Sequence, residues 1–271
     1  MLDYHVHSDY SPDGKASIAQ QCQAALRAGL REICFTEHLE YGAPVPEFAA
    51  QPRFEQWFEE IARQRVAFPA LRILAGVEAA DLESTTLDTM REVRRWPFDY
   101  VLLSQHIVDG VDPYDQRFYE GRGQSDAYMA YARAVLDSLK RFEPNDYDAL
   151  AHYGYVAKFA PYDMESRAFT RDFAPEIIDE SLRILARHGK ALEINTSRMA
   201  MGMPIPGPAL IRRFRELGGE MVTLGSDAHR SDMVGAMLRG GARLALDSGV
   251  KYLARYEARR LTPISIEEVL G

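Results

Sequence analysis

An α/β fold built from repeated β/α units is what this chain predicts, with a parallel barrel close to the eight-stranded kind and an open doubly wound sheet as the two architectures in contention. Three observations point there. Seven short runs rich in β-branched or aromatic residues alternate with seven longer stretches of helical period, the rhythm of strands and crossover helices around a parallel sheet. Several helical stretches stop at glycine, as at Gly29, Gly189 and Gly218, the residue that most easily takes the left-handed conformation closing a helix. A length of 271 residues with no repeat, low-complexity tract or Gly/Ser linker reads as one domain, residues 1–271, large enough for a substantial core.

Taken in order, the first strand spans Leu2 to His7 and leads through SDYSPDG to a helix over Ile18 to Ala28. The second, Glu32 to Thr36, runs on into Glu37 and His38 and is followed by a helix over Phe54 to Phe68. Ile73 to Glu78 is the third, ahead of a helix over Leu87 to Arg94. The fourth, Tyr100 to His106, precedes a long segment of Tyr, Gly, Asp and Arg and then a helix over Ser125 to Phe142. Ala149 to His152 is the fifth, with a helix over Pro175 to His188; Ala191 to Asn195 is the sixth, with a helix over Pro208 to Leu217. The seventh, Met221 to Ser226, is followed by a helix over Met233 to Ser248 whose Met233, Ala236, Met237 and Leu244 form a stripe expected to pack on the barrel. The tail, Tyr252 to Leu261 and then PISIEEVLG, reads as an extra strand and a short helix. The GGAR and LGG stretches lack the strand–turn–helix context of a phosphate-cradling loop and read as loop or capping glycines.

Composition narrows the function classes. At 46% hydrophobic and 27% charged residues the chain is an ordinary globular protein. It has no uninterrupted apolar stretch of about 18 residues, and its start lacks a basic segment leading into an apolar one, so a cytoplasmic protein is expected. Cys22 and Cys34 are too few for a disulfide framework or a thiolate-rich metal site and read as small core residues. A formal charge of −8 without basic runs argues against a nucleic-acid polymer as partner. A small anionic substrate remains open if bound cations supply the positive field.

Parallel α/β folds gather their functional residues at the C-terminal ends of strands. Six of the seven ends carry metal-ligand types: His5 and His7 with Asp9 and Asp13 behind them, Glu37 and His38, Glu78, His106, His152, and Asp227 with His229. The sixth strand offers Asn195, Ser197 and Arg198 instead. Strand alternation puts His5 and His7 on one face, where the pair can grip a single ion. The same parity groups Leu74 and Gly76 with Glu78, and Leu102 and Ser104 with His106. The seventh histidine, His188, sits in the last turn of a helix, where a cation suits the dipole, and reads as structural. Six histidines at strand ends are a coincidence that ordinary core or surface roles do not explain. Imidazoles and carboxylates without thiolates suit Zn²⁺, Mn²⁺, Fe²⁺ or Co²⁺. Six histidines with Asp13, Glu78 and Asp227 exceed the about four to six ligands of one ion, which implies two or three ions. Glu78, alone at its strand end, is the expected bridge.

The opening HVHSDYSPDG, TEH after the second strand, Glu78, SQH after the fourth, a histidine after the fifth and the final SDAH resemble the PHP (polymerase and histidinol phosphatase) family of metal-dependent phosphoesterases. Within it the resemblance is best to the monofunctional histidinol-phosphate phosphatases, on LLSQHIVDG and the long insertion after it. It spans His5 to His229. The resemblance implies an α/β, distorted (β/α)7 barrel of TIM-like kind with a trinuclear cluster of Zn, Fe or Mn at its C-terminal rim. By position, one ion would take His5, His7, Glu78 and Asp227, a second Glu78, His106 and His152, and a third Asp13, His38 and His229. Some family members have histidine where this chain has Asp13. The implied activity is hydrolysis of L-histidinol phosphate to L-histidinol and phosphate in histidine biosynthesis.

Ions about 3.5–4 Å apart would let a shared water lose its proton near neutral pH, so no serine or cysteine nucleophile is required. Glu78, Asp227 and His229 are then the expected catalytic side chains, with Asp227, His229 or a metal-bound water beside them as the candidates to protonate the leaving alkoxide. For the substrate, Arg198 is the first choice for phosphate, followed by Lys158, by Arg117 and Arg122 in the long segment, and by Arg230. A substrate bearing an ammonium and an imidazole also calls for an acid outside the metal shell; Glu193 shares strand parity with Asn195, with Glu37, Glu40 and Asp9 as further options. The rival functions are a phosphodiesterase or nuclease on nucleotides or short oligonucleotides, a metal-dependent protein-tyrosine phosphatase, and a non-catalytic zinc-binding module.

Overall fold

The computed structural model describes residues 1–50, 52–164 and 166–271. Its strands are β1 (Leu2–Val6), β2 (Glu32–Leu39), β3 (Arg72–Ala80), β4 (Tyr100–Ser104), β5 (Ala149–Leu150), β6 (Ala191–Asn195), β7 (Met221–Gly225), β8 (Tyr252–Glu257) and β9 (Arg260–Ser265). The helices are α1 (Ile18–Arg27), α2 (Pro46–Ala49), α3 (Phe54–Ala67), α4 (Thr86–Arg95), α5 (Gln124–Arg141), α6 (Pro175–Arg187), α7 (Pro208–Glu216), α8 (Leu238–Asp247) and α9 (Ile266–Leu270). The strands pair in chain order as one sheet, parallel from β1 through β8, with only β8–β9 antiparallel.

The sheet closes on itself through β7. Beyond its last residue, Asp227 N donates to His5 O at 2.8 Å and His7 N to Ala228 O at 3.0 Å, with a parallel bridge between Val6 and Ala228. The start of β7 pairs with β8 instead, Met221 opposite Tyr252 and Val222 opposite Leu253. This is a distorted (β/α)7 barrel with the β8–β9 hairpin attached at its N-terminal rim. Tyr4, Tyr100 and Tyr256 fill the interior there, with ring centroids 5.3 Å apart for Tyr4–Tyr100 and 5.1 Å for Tyr100–Tyr256.

The strands are buried almost throughout because helices cover one face and the barrel interior the other. Helices contribute one apolar face each, as with Ile18, Cys22 and Ala25 of α1 and Ile178, Leu182 and Leu185 of α6. α1 begins with a capping box in which Ser17 Oγ accepts from Gln20 N and Gln20 Oε1 accepts from Ser17 N. It ends before Gly29 at φ +71°. Cys22 and Cys34 are buried free thiols, as expected.

Three expectations are corrected. The last long helix begins at Leu238 and not at Met233, because the chain first makes turns that Asp3 tethers, its carboxylate accepting from Ser226 N, Ser226 Oγ and Gly235 N. Met233 and Met237 are consequently exposed, and the face packed on the barrel is Leu238, Gly241, Ala242 and Ala245. The GGAR glycines lie inside this helix; a Cβ on Gly241 would stand 2.9 Å from Thr196 Cγ2, so glycine permits the close approach to β6 and β7. The tail supplies two strands before its helix, where one was expected.

Candidate metal centre

Nine side chains from six strand ends meet at the C-terminal mouth of the barrel. His5 and His7 project from β1 with Nε2 atoms 3.0 Å apart. Glu78, near the end of β3, presents its two oxygens to different histidines. Oε2 lies 3.4 Å from His5 Nε2 and 3.5 Å from His7 Nε2, while Oε1 lies 2.8 Å from His152 Nε2 and 3.2 Å from His106 Nε2. Asp227 Oδ1 completes the first group at 3.7 Å from both His5 and His7 Nε2. Its backbone sits at φ +55°, a left-handed conformation that Asp tolerates better than most residues. A third group forms where Asp13 stands 3.5 Å from His38 Nε2 through Oδ1 and 2.9 Å from His229 Nε2 through Oδ2. The His7 ring stacks between those of His38 and His229, at 4.3 and 4.2 Å.

Acceptors behind the histidines fix which nitrogen faces inward. His5 Nδ1 lies 2.6 Å from Glu193 Oε1, and His106 Nδ1 lies 2.8 Å from Glu40 Oε1. His229 Nδ1 meets the Asp227 carbonyl at 2.9 Å. His7 Nδ1 meets Ser11 Oγ at 3.2 Å, and that hydroxyl donates onward to Glu37 Oε2 at 2.5 Å. With Nδ1 donating outward, the Nε2 lone pair of all four rings points into the centre, the arrangement by which proteins orient metal-ligating histidines. Buried polar atoms without a well-directed hydrogen bond include both ring nitrogens of His38 and Asp13 Oδ1. Lone pairs converging so closely need a cation between them, and nitrogen and carboxylate donors without thiolate fit divalent ions.

Local strand geometry explains the sorting of acids. On β2, His38 and Glu40 share a parity and face the site; Glu37, one residue off, points the other way and accepts from Ser8 Oγ, Ser11 Oγ and Trp57 Nε1. Burial raises the Glu37 carboxyl against the pull of those donors. Glu78 is pushed up by burial but held well below the usual carboxylate range by His5, His106 and His152. Asp227 is likewise buried yet held low, by the Lys158 ammonium and the imidazoles of His5, His229 and His7. His7 is driven well below its ordinary value by burial and by three neighbouring histidines.

The centre opens into a cleft of about 1260 Å³. Lys158 lines it with Nζ 2.5 Å from Asp227 Oδ2, an oxygen that also accepts from Asn195 Nδ2 at 3.3 Å. Arg198 is not among the residues that line the cleft; it lies over the ring of Phe159, which does, 5.4 Å from its centroid. Arg117 and Arg230 line the cleft but are held by Asp115 and Asp232, and Arg122 is paired with Asp109. Glu193 stands behind the ligands and outside the cleft, with Oε2 accepting from His152 N at 2.7 Å. Glu40 lies between His38 and His106, Glu37 behind His7, and Asp9 is exposed. A further acid that lines the cleft, Asp112, was not expected; it lies in the irregular segment after His106, where neither periodicity nor a strand end marks it.

The PHP domain family matches residues 3–197. The chain is 32% identical over 264 residues to histidinol-phosphatase of Lactococcus lactis, covering 96% of both chains. It is 29% identical over 258 residues to the probable histidinol-phosphatase of Clostridium acetobutylicum, covering 93% of this chain and 95% of that one. The crystal structure of the Lactococcus lactis histidinol phosphate phosphatase, complexed with zinc, L-histidinol and phosphate, superposes with a TM-score of 0.87 at 29% identity, over 96% of this chain and 98% of that one.

Proposed function

The chain belongs to the PHP domain family, and from that premise we propose that it is a histidinol-phosphatase, a metal-dependent phosphomonoesterase releasing L-histidinol and phosphate in histidine biosynthesis. The observation that carries this reading is the convergence of imidazole Nε2 atoms on both oxygens of one buried carboxylate, Glu78, at the mouth of a cleft. The relatives and the zinc-bound structure support it. We assign the ions to His5, His7, Glu78 and Asp227, to Glu78, His106 and His152, and to Asp13, His38 and His229, with zinc as the metal and iron or manganese as alternatives. Bound there, divalent ions lower the pKa of water and draw charge from phosphoryl oxygens.

The remaining work falls to the chain's own groups. Glu78 and Asp227 hold negative charge in place without reorganisation, and Glu193, Glu40, Ser11 and the Asp227 carbonyl keep the rings aligned. Lys158 sets a positive charge beside Asp227 in the cleft, and Arg198 sets another over the Phe159 ring that lines it; both are assigned to the phosphate. His229, about a quarter exposed at 26%, faces the cleft and with the ionised Asp227 is assigned to hold in place the water that gives its proton to the leaving oxygen. Arg117 and Arg230 are spent on neighbouring acids, leaving no continuous basic track among the described residues, which favours a small monoester over a nucleic-acid chain. No helix among the described residues is long and apolar enough to cross a membrane; a cytoplasmic, single-domain enzyme is the reading that goes with the phosphatase assignment.

A substrate panel on zinc-loaded protein tests the reading. Histidinol phosphate should show a kcat/KM at least about 100-fold above phosphotyrosine, nucleotide diesters and short RNA. Faster turnover of a diester would move the chain to the nuclease branch of its family.

A further inference from the structure

The cleft contains one acid for which the catalytic arrangement has no use. Asp13, Glu40, Glu78 and Asp227 face imidazoles or Lys158, and Asp115 holds Arg117. Asp112 alone among the described cleft carboxylates has no cationic or imidazole partner. Its Oδ1 accepts from Tyr114 N at 2.7 Å and from the Tyr155 hydroxyl at 3.1 Å, and among the described residues no hydrogen bond is seen to Oδ2. Burial raises its carboxyl against the nearby charge of His106. A carboxyl group set into the cleft wall with no ion-pair partner among the described residues favours a cation arriving from outside.

Its position relative to the metal centre is defined by Tyr155. That ring packs 4.9 Å from His106 and 5.1 Å from His152, centroid to centroid, and its hydroxyl donates to Asp112. The carboxylate therefore stands one tyrosine side chain from two of the assigned ligands, on the side of the cleft walled by Ile107, Val111, Tyr114 and Phe159. Tyr114 and Phe159 meet edge to face at 4.8 Å, and aromatic faces beside an acid suit a flat or cationic nitrogen group.

We propose that Asp112, aimed by Tyr155, is a specificity-determining residue that binds a cationic nitrogen of the leaving alcohol, the ammonium or the imidazolium of histidinol. This rests on the phosphatase reading above and deepens it. Asp112 makes no contact with the reacting atoms, so it acts through binding and discrimination.

The experiment compares the wild type with Asp112→Asn, both zinc-loaded, on histidinol phosphate, on its deaminated analogue that keeps the imidazole, and on p-nitrophenyl phosphate. The readout is the ratio of kcat/KM on histidinol phosphate to that on p-nitrophenyl phosphate. It should fall roughly 10- to 100-fold in the variant, chiefly through KM, the scale expected for one charge-assisted hydrogen bond. A loss confined to histidinol phosphate assigns the ammonium; a loss shared by the deaminated analogue assigns the imidazolium. Tyr155→Phe, which keeps the ring and removes the aiming hydroxyl, should lower the same ratio by a smaller factor. An unchanged ratio, whether both rates hold or both fall together, overturns the role of Asp112 while the phosphatase reading stands. Wild-type protein that cleaves p-nitrophenyl phosphate but not histidinol phosphate overturns the reading and this inference with it.

Discussion

Glu193 shows how much of the centre depends on a residue outside it. Both oxygens are used, Oε1 on His5 Nδ1 at 2.6 Å and Oε2 on His152 N at 2.7 Å, and both partners are donors. In Glu193→Gln the amide must point its NH₂ at one of them, so the substitution sets donor against donor even though the shape is kept. Metal affinity should fall about 10- to 100-fold, measured by competition with a chromophoric chelator; unaltered affinity would mean that His5 is oriented by other means. At this scale the sequence was informative wherever chemistry is written in residue type. Histidines and acids at strand ends could be read as ligands because those residue types seldom gather without a reason. Side-chain direction was not legible. Glu193 has the parity of an inward residue and does point inward, but a close approach at Gly225, where a Cβ would stand 2.3 Å from Glu193 Oε1 and 2.4 Å from His5 Cβ, brings it against His5 instead of into the cleft. Asp112 escaped because loop carboxylates are common and nothing in its neighbours distinguishes it.

Elements carry the next level of the account, and α6 illustrates it. Asp179 is buried at 3% exposure on this helix. Its carboxylate accepts two hydrogen bonds each from Arg213 of α7 and from Arg171 in the turn before α6. Those guanidinium bonds hold the carboxyl well below its ordinary value. A depressed acid contributes stability that is complete above the unfolded-state value and lost as pH falls toward the folded one. Asp179→Asn should therefore lower Tm by about 3–6 °C at pH 7, with the gap constant from about pH 8 to 5 and narrowing below about pH 4. Thermal melts across that range check it; a gap that persists at low pH would assign the effect to shape. The regular elements were legible because their periods are set by burial, as β6 and α3 show. The start of α8 was not, since the tether from Asp3 to Ser226 and Gly235 joins residues more than 220 positions apart, and a Met stripe with the right spacing marks an exposed turn.

At the scale of the molecule, the barrel is what lets strands distant in sequence share one pocket. Closure runs from β1 to the segment after β7 through His5, His7, Asp227 and Ala228, so the hydrogen bonds that complete the barrel are made by residues assigned as ligands and their neighbours. The repeat of β/α units left both a closed barrel and an open sheet available; it was the family resemblance, and not the periodicity, that implied the distorted seven-stranded barrel. The β8–β9 hairpin could not be placed from sequence, its pairing with only the start of β7 being a consequence of the distorted closure. The central claim is that these converging side chains hold several divalent ions on which phosphate-ester hydrolysis depends. Its most direct test is elemental analysis paired with histidinol phosphate turnover, on protein first stripped by a chelator and then reloaded stepwise with zinc. The account predicts that stripped protein is inactive and that activity returns as two to three equivalents bind; full activity in the stripped protein, or tight retention of less than one equivalent, would contradict it.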